Sequence, residues 1–351
     1  MVIKIRNNGC PFGTHRVIDP KGVLPQPALK IDNCMDYMWD NEIMVEVTTL
    51  NIDSASFTQI KNECGGDEGK IKNKILEIAN SRGKMQNPVT GSGGMFIGKV
   101  LKIGPKIKGK IDLKEGDKIA SLVSLSLTPL KIEKIISIKN GTEQVNIKGK
   151  AILFESGLYA KIPRDIPEKL ALAILDVAGA PAQTDRLVKP GDIVVIIGAG
   201  GKSGVLCSYS AKNRSGVTGK VIGIEYSNAG VNKIKKMGFC DYALKLDATD
   251  AVSCYREISK ITNGRLADVV INCVNVANTE MASILMTRER GIVYFFSMAT
   301  SFTKAALGAE GVGKDIDMII GNGYMKGHAE IALDILRKSK IIREEYEKHY
   351  A

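Results

Sequence analysis

Nowhere in the sequence does an apolar run reach the roughly 18 residues needed to span a bilayer, so no membrane partner is expected. The opening stretch, MVIKIRNNGCPFG, lacks the apolar centre of a secretory signal, and the expected location is the cytoplasm. CxxC pairs are missing, and Cys10, Cys34, Cys64, Cys207, Cys240, Cys254 and Cys273 lie far apart with no histidine at metal-ligand spacing. They are expected to be reduced thiols, several of them buried. Low-complexity tracts and solenoid-length repeats are absent as well. The formal charge of +11 raises the question of nucleic acid, but the lysines are scattered, with no basic run and no aromatic interleaving. A solvated lysine-rich surface accounts for them, and no nucleic-acid partner is expected.

What is present is an ordinary globular composition, 44% hydrophobic and 25% charged, over 351 residues, enough to bury two cores without staples. The predicted division is a β-rich domain over 1–158 and an α/β domain over 159–351. In the first, short strands such as Glu42–Val47, Ile97–Ile103 and Lys118–Val123 are broken by Gly, Pro, Asn and Asp. One segment departs from this: Glu68–Arg82 carries Ile71, Ile75, Ile78 and Ala79 at helical spacing with charge on the other face.

In the second, apolar strands alternate with helical segments. The strand candidates are Ile193–Ile197, Val221–Glu225, Tyr242–Leu246, Val269–Cys273, Ile292–Phe296 and Met318–Ile320; the helices between them are Ser203–Lys212, Ala229–Met237, Val252–Thr262 and Thr279–Met286. This alternation predicts a doubly wound parallel sheet. An amphipathic segment, His328–Lys338, is expected to cover the sheet, and a charged tail closes the chain.

The run from Asp192 to Leu206 is an apolar strand feeding a turn that contains Gly198, Gly200, Gly201 and Gly204 and opens a helix through Lys202 and Ser203. Glycine lets backbone approach a pyrophosphate, and a helix N-terminus offers N–H groups and partial positive charge. The spacing reads G-x-x-G-x-x-G from Gly198 through Gly201 to Gly204. The next strand ends in Glu225, about 20 residues beyond the last glycine, where the adenosine ribose is gripped. A carboxylate accepts from a diol and repels a 2′-phosphate, and Tyr226, Ser227 and Asn228 supply no arginine. NAD is therefore predicted over NADP.

The order of elements resembles the medium-chain dehydrogenase/reductase family, a GroES-like β domain followed by a Rossmann domain. The segments that carry the resemblance are Glu42–Asp53, Asn87–Gly104, Leu113–Asp117 and Val188–Asp192, with the glycine turn. The positions that match the zinc ligands of zinc-dependent members are Asp53, Gly94 and Met95, and the structural zinc lobe has no counterpart, so no metal is expected. The family's C-terminal return into the first domain is expected to be shortened. Gly9–Val17, Asn51–Phe57, Asp176–Pro181 and the Gly198–Gly204 turn with Glu225 together resemble a zinc-independent branch. That closer resemblance implies NAD-dependent oxidative deamination of a small amino-acid substrate. It also implies a homodimer or homotetramer, with Arg290–Phe296 expected at the pairing edge.

Deamination by hydride loss requires a base beside the amine. The resemblance points to Asp53 on the former metal loop, and to Asp176 between apolar runs, as catalytic carboxylates; each reads alternatively as a turn or helix-capping acid. Ser54 and Ser56 are either proton relays and substrate contacts beside Asp53 or ordinary loop serines. His15 is a candidate acid–base residue and Arg16 a candidate fork for the substrate carboxylate, against a role in packing. Thr184 is placed by position near the nicotinamide carboxamide, while His328 and His349 are expected to be structural or solvated. Two other readings stay open: a zinc-free quinone or enoyl reductase, and a nucleotide-binding protein without catalysis.

Overall fold

The computed structural model describes residues 3–138, 143–297, 299–321 and 323–351. The chain divides into two compact units, Met1–Asp176 with Tyr350–Ala351, and Val177–His349.

The first unit contains β1 (Lys4–Arg6), β2 (Val17–Asp19), β3 (Lys30–Ile31), β4 (Tyr37–Trp39), β5 (Ile43–Ile52), α1 (Ser54–Glu63), α2 (Glu68–Arg82), β6 (Gly94–Ile103), β7 (Lys118–Ser121), β8 (Leu130–Ile138), β9 (Gln144–Leu153), β10 (Tyr159–Lys161) and α3 (Glu168–Leu175). An antiparallel sheet runs in the order β10-β7-β6-β5-β9-β8. Helix α2 is the helical excursion expected over Glu68–Arg82. Asp67 caps its start by accepting from the Lys70 amide at 2.8 Å, and Gly83 ends it in the left-handed region at φ +72°. Its Ile71, Ile75 and Ile78 pack into the core that the sheet provides, each contributing about 1.5–3 kcal/mol by burial.

The second unit contains α4 (Gly179–Leu187), β11 (Ile193–Ile197), α5 (Lys202–Ser215), β12 (Lys220–Glu225), α6 (Asn228–Met237), β13 (Tyr242–Lys245), α7 (Ala251–Ile261), β14 (Ala267–Asn272), α8 (Glu280–Met286), β15 (Thr287–Phe295), α9 (Phe302–Gly311), β16 (Asp317–Ile320), α10 (His328–Lys338) and α11 (Lys340–His349). Its parallel sheet runs β13-β12-β11-β14-β15-β16, the Rossmann order, in which two mononucleotide halves meet at the first strand. Ile193, Val195 and Ile197 enter the core on one face, while Val194 and Ile196 enter the core on the other. Continuous apolar strands follow from that double burial.

Three expectations need correction. Of the expected pairing edge Arg290–Phe296, all but Phe296 lies in β15, which is flanked by β14 and β16, so the outermost described strand is β16. The charged tail is helix α11, because Ile342 and Tyr346 recur at one helical turn and are both fully buried. The loop after Asp53 is helix α1, whose modest apolar face of Phe57 and Ile60 gives a weak periodic signal. No helix among the described residues is long and apolar enough to cross a membrane.

Candidate functional site

In the second unit, β11 delivers the chain into a turn whose geometry only glycine satisfies. Gly198 adopts φ +79°, in the left-handed region. A Cβ on Gly204 would lie 1.9 Å from the Gly198 carbonyl oxygen, so helix and strand could not approach this closely with any other residue. Gly201 occupies the N-cap position of α5 and no side chain caps it, which leaves the start of the helix open to an anion. Lys202 and Ser203 form its first turn, half-exposed and buried respectively. The buried Tyr346 of α11 donates its hydroxyl to the Lys202 carbonyl at 2.6 Å, fixing the turn from behind.

Glu225 ends β12 beside this turn. Its Oε1 accepts from the Gly200 amide at 2.9 Å, and a Cβ on Gly200 or Gly230 would come within 3.1 or 2.7 Å of the carboxylate. The glycine turn and Glu225 are thus one construction. A dinucleotide fits it: unhindered backbone and an uncapped helix start for the pyrophosphate, a half-exposed carboxylate for a diol.

In the first unit, the β5–β6 pairing brings Ile52 opposite Gly94 and Asn51 opposite Met95. Asp53, Gly94 and Met95, the positions that the sequence resemblance matches to zinc ligands, therefore lie at one corner. Asp53 Oδ1 accepts from the amides of Ala55 and Ser56 at 3.0 and 3.1 Å, capping α1, and Oδ2 accepts from Ser56 Oγ at 3.3 Å. A carboxylate has about four acceptor positions, so Oδ2 keeps one for a further donor. Ser56 Oγ also lies 2.6 Å from both Thr90 Oγ1 and Ser92 Oγ. The result is a hydroxyl chain that leads from buried Ser56 to exposed Thr90. Ser54 is not part of it; its hydroxyl donates to Glu143 at 2.9 Å. Thr90, Ser92 and Glu143 escaped the sequence reading because polar residues in a loop carry no periodic signal. Among the described residues, no three His, Cys, Asp or Glu side chains converge as a metal site.

Two site expectations are overturned by geometry. Arg16 is buried with every guanidinium N–H engaged: Nε and Nη2 on Glu42 at 2.6 and 2.7 Å, the others on the carbonyls of Asp32, Cys34 and Tyr37. No donor is left for a substrate carboxylate. Burial opposes its charge, but the hydrogen bonds and charge of Glu42 outweigh this and raise its pKa. His15 accepts from the Cys10 amide through Nδ1 at 2.8 Å, so Nε2 is the donor to Glu42, also at 2.8 Å. Both nitrogens are spent on structure, and His15 is not an acid–base residue. Burial alone would push the Glu42 carboxyl up; hydrogen bonds from Arg16 and His15 hold it below its ordinary value.

Asp176 stands half-buried at the C-cap of α3. Thr184 lies fully buried on α4 with its hydroxyl donated to the Ala180 carbonyl at 2.8 Å.

A family model described as the N-terminal domain of L-erythro-3,5-diaminohexanoate dehydrogenase matches residues 15–163. The chain is 63% identical to the L-erythro-3,5-diaminohexanoate dehydrogenase of Acetoanaerobium sticklandii over 342 residues, 97% of this chain and 99% of that one. It is 58% identical to the enzyme of the same name from Fusobacterium nucleatum, with the same coverage. Among solved structures it is similar to a mycobacterial quinone oxidoreductase at 17% identity and a TM-score of 0.55, covering 85% of this chain and 81% of that one. It is likewise similar to an alcohol dehydrogenase from a Thermus species at 18% identity and a TM-score of 0.52, covering 86% and 84%. These two likenesses concern the fold, a GroES-like domain and a Rossmann sheet of medium-chain dehydrogenases.

Proposed function

The chain belongs to the L-erythro-3,5-diaminohexanoate dehydrogenase family, and from that premise we propose that it deaminates this diamino acid oxidatively with NAD. It is an oxidoreductase acting on that small-molecule substrate. The proposed balance is substrate, NAD and water going to 5-amino-3-oxohexanoate, ammonium, NADH and a proton. Such a step belongs to the fermentative breakdown of lysine.

The observation that carries the choice of NAD is Glu225, held against the glycine turn by the Gly200 amide. Its carboxylate suits the ribose diol and would repel a 2′-phosphate. The nicotinamide ring supplies the hydride-accepting carbon when the cofactor is bound. The uncapped start of α5, with Lys202 and Ser203, supports a reading in which Gly198, Gly200, Gly201 and Gly204 receive the pyrophosphate.

Hydride can leave carbon 3 only after its ammonium has lost a proton. We assign that proton to Oδ2 of Asp53, whose remaining acceptor position pairs first with the ammonium. Ser56, Ser92 and Thr90 offer hydroxyls through which the proton reaches solvent and a water is oriented for attack on the iminium. Asp176 is the second candidate carboxylate. Association into a homodimer or homotetramer through the outermost strand β16 is expected, with light scattering as its check.

The test is NADH formation followed by absorbance, with L-erythro-3,5-diaminohexanoate as donor and with NADP and lysine as controls. Turnover with NAD and this diamine is the expected result. Preference for NADP would remove Glu225 from the argument.

A further inference from the structure

Cys207 and Cys273 are 66 residues apart in sequence, and the fold brings their sulfurs to 3.8 Å. Both belong to the second unit. Cys207 lies on α5, about one helical turn beyond Gly204, and is fully buried; Cys273 directly follows β14 and is half-exposed. The other two cysteines of this unit are engaged elsewhere, Cys240 with Ser208 Oγ at 3.5 Å and Cys254 with the Asp247 carbonyl at 3.4 Å. Nothing in the reaction proposed above uses a thiol.

The pair brackets the glycine turn. The Cys273 amide donates to the Ile197 carbonyl at 3.0 Å, at the end of the strand that enters the turn. Its neighbour Val274 packs on Gly198, where a Cβ would meet Val274 Cγ1 at 2.6 Å. Cys207 rides on the helix that the turn opens, and that helix has no slack, since a Cβ on Gly204 would lie 1.9 Å from the Gly198 carbonyl oxygen. A disulfide holds its sulfurs at about 2.0 Å, so forming one here closes a gap of about 1.8 Å. Cys207 is enclosed in a close-packed core with no room to swing its side chain, so backbone beside the turn has to move.

The two thiols are unequal. Solvent reaches Cys273, whereas burial first, and then the neighbouring Cys273 thiol, push the Cys207 thiol well above its ordinary value. Cys207 therefore keeps its proton, and an oxidant meets Cys273 first.

We propose that Cys207 and Cys273 form an oxidative modification site, closed to a disulfide by hydrogen peroxide, and that the closed form distorts the turn proposed to receive the pyrophosphate. The Cys273 sulfur attacks one peroxide oxygen and breaks the O–O bond, giving a sulfenic acid and water. The Cys207 sulfur then attacks the Cys273 sulfur: the S–S bond forms, the S–O bond breaks, and the departing hydroxide takes the Cys207 proton as a second water. Two thiols are oxidised and one peroxide is reduced. A dithiol reductant reverses the step by exchange. The effect on nucleotide binding rests on the cofactor reading above; the disulfide itself does not.

Full-length protein, reduced and then treated with hydrogen peroxide, is alkylated, digested and mapped by mass spectrometry. A peptide pair joined through Cys207 and Cys273 is expected, and dithiothreitol should separate it. Amide exchange over residues 198–206 should change on oxidation, and NAD binding should weaken about tenfold or more, the scale of coupling between two sites. Cys273→Ser should show none of these responses to peroxide while keeping the wild-type unfolding midpoint, because its side chain is half-exposed; Cys207→Ala is the second variant. Absence of the linked peptide overturns the proposal. A linked peptide with unchanged exchange and unchanged NAD affinity overturns the coupling to the turn. A peroxide effect that persists in both variants belongs to other groups and overturns it too. If the reduced protein does not bind NAD, the cofactor reading fails, while the peptide map and the exchange over the turn still decide this site.

Discussion

Glu225 accepts the Gly200 amide hydrogen at 2.9 Å, so the residue proposed to choose the cofactor also holds the turn proposed to bind it. Glu225→Gln separates the two roles, because the amide oxygen still accepts from Gly200 while the negative charge is gone. The expected outcome is an intact fold with the NAD-over-NADP ratio of kcat/KM reduced about tenfold or more, the scale of one charged hydrogen bond. Steady-state kinetics with both nucleotides measures it, and an unchanged ratio would remove Glu225 from cofactor choice.

Gly204 tests the turn itself. A Cβ there meets the Gly198 carbonyl at 1.9 Å, so Gly204→Ala must push α5 away from β11. A stability loss of about 1–3 kcal/mol is expected for such overpacking, together with weakened NAD binding in a fluorescence titration. Binding at wild-type strength would show that the close approach is not needed for the cofactor.

The buried ion pair in the first unit predicts a pH dependence. The folded Glu42 carboxyl titrates below its ordinary value, so its contribution is fully present above the unfolded value, near 4.5, and is lost as pH falls through the lower folded value. Glu42→Gln should cost about 3–5 kcal/mol near neutral pH, because Arg16 is left buried without its counter-charge. It should also flatten the acid limb of the stability curve. Urea unfolding across the acid range is the measurement. A variant as stable as wild type would show that the pair stabilises nothing.

How much of this was legible beforehand differs by kind of feature. Helix α2 and the strand–turn–helix at Gly198 are written in local spacing, periodic isoleucines in one case and glycines after an apolar strand in the other. Arg16 was misread because its partner, Glu42, lies 26 residues away and is brought to it only by the tertiary fold. Ser56 was placed beside Asp53, but its partners Thr90 and Ser92 come from a loop 34 and 36 residues on and are likewise brought to it only by the tertiary fold. An arginine and a histidine side by side look alike in sequence whether they await a ligand or are already paired. Helix α11 was hidden by charge: its apolar face is narrow, and Tyr346 matters through one hydroxyl on the Lys202 carbonyl.

Core packing of α2 gives a prediction independent of any ligand. Ile75 is fully buried in the cluster beneath the antiparallel sheet. Ile75→Ala should destabilise by about 2–5 kcal/mol, the transfer loss plus the residual cavity. Chemical denaturation reads it, and a change within about 0.5 kcal/mol, typical of surface sites, would mean that the helix does not pack there.

Asp53 combines a structural role with a proposed chemical one, and a single substitution tells them apart. Asn caps helices as well as Asp does, so in Asp53→Asn the bonds from the Ala55 and Ser56 amides are expected to survive and α1 with them. What is lost is the negative charge at Oδ2, where the substrate ammonium is proposed to pair and release its proton. Turnover should therefore fall about 10²–10⁴-fold, the usual contribution of general-base catalysis, while the unfolding midpoint and NAD binding stay near wild type. Asp53→Ala, by contrast, removes both the cap and the base, and should cost a further ~1 kcal/mol or so of stability. If Asp53→Asn turns over the diamine at near the wild-type rate, Asp53 is a cap and nothing more, and Asp176 becomes the carboxylate to substitute next.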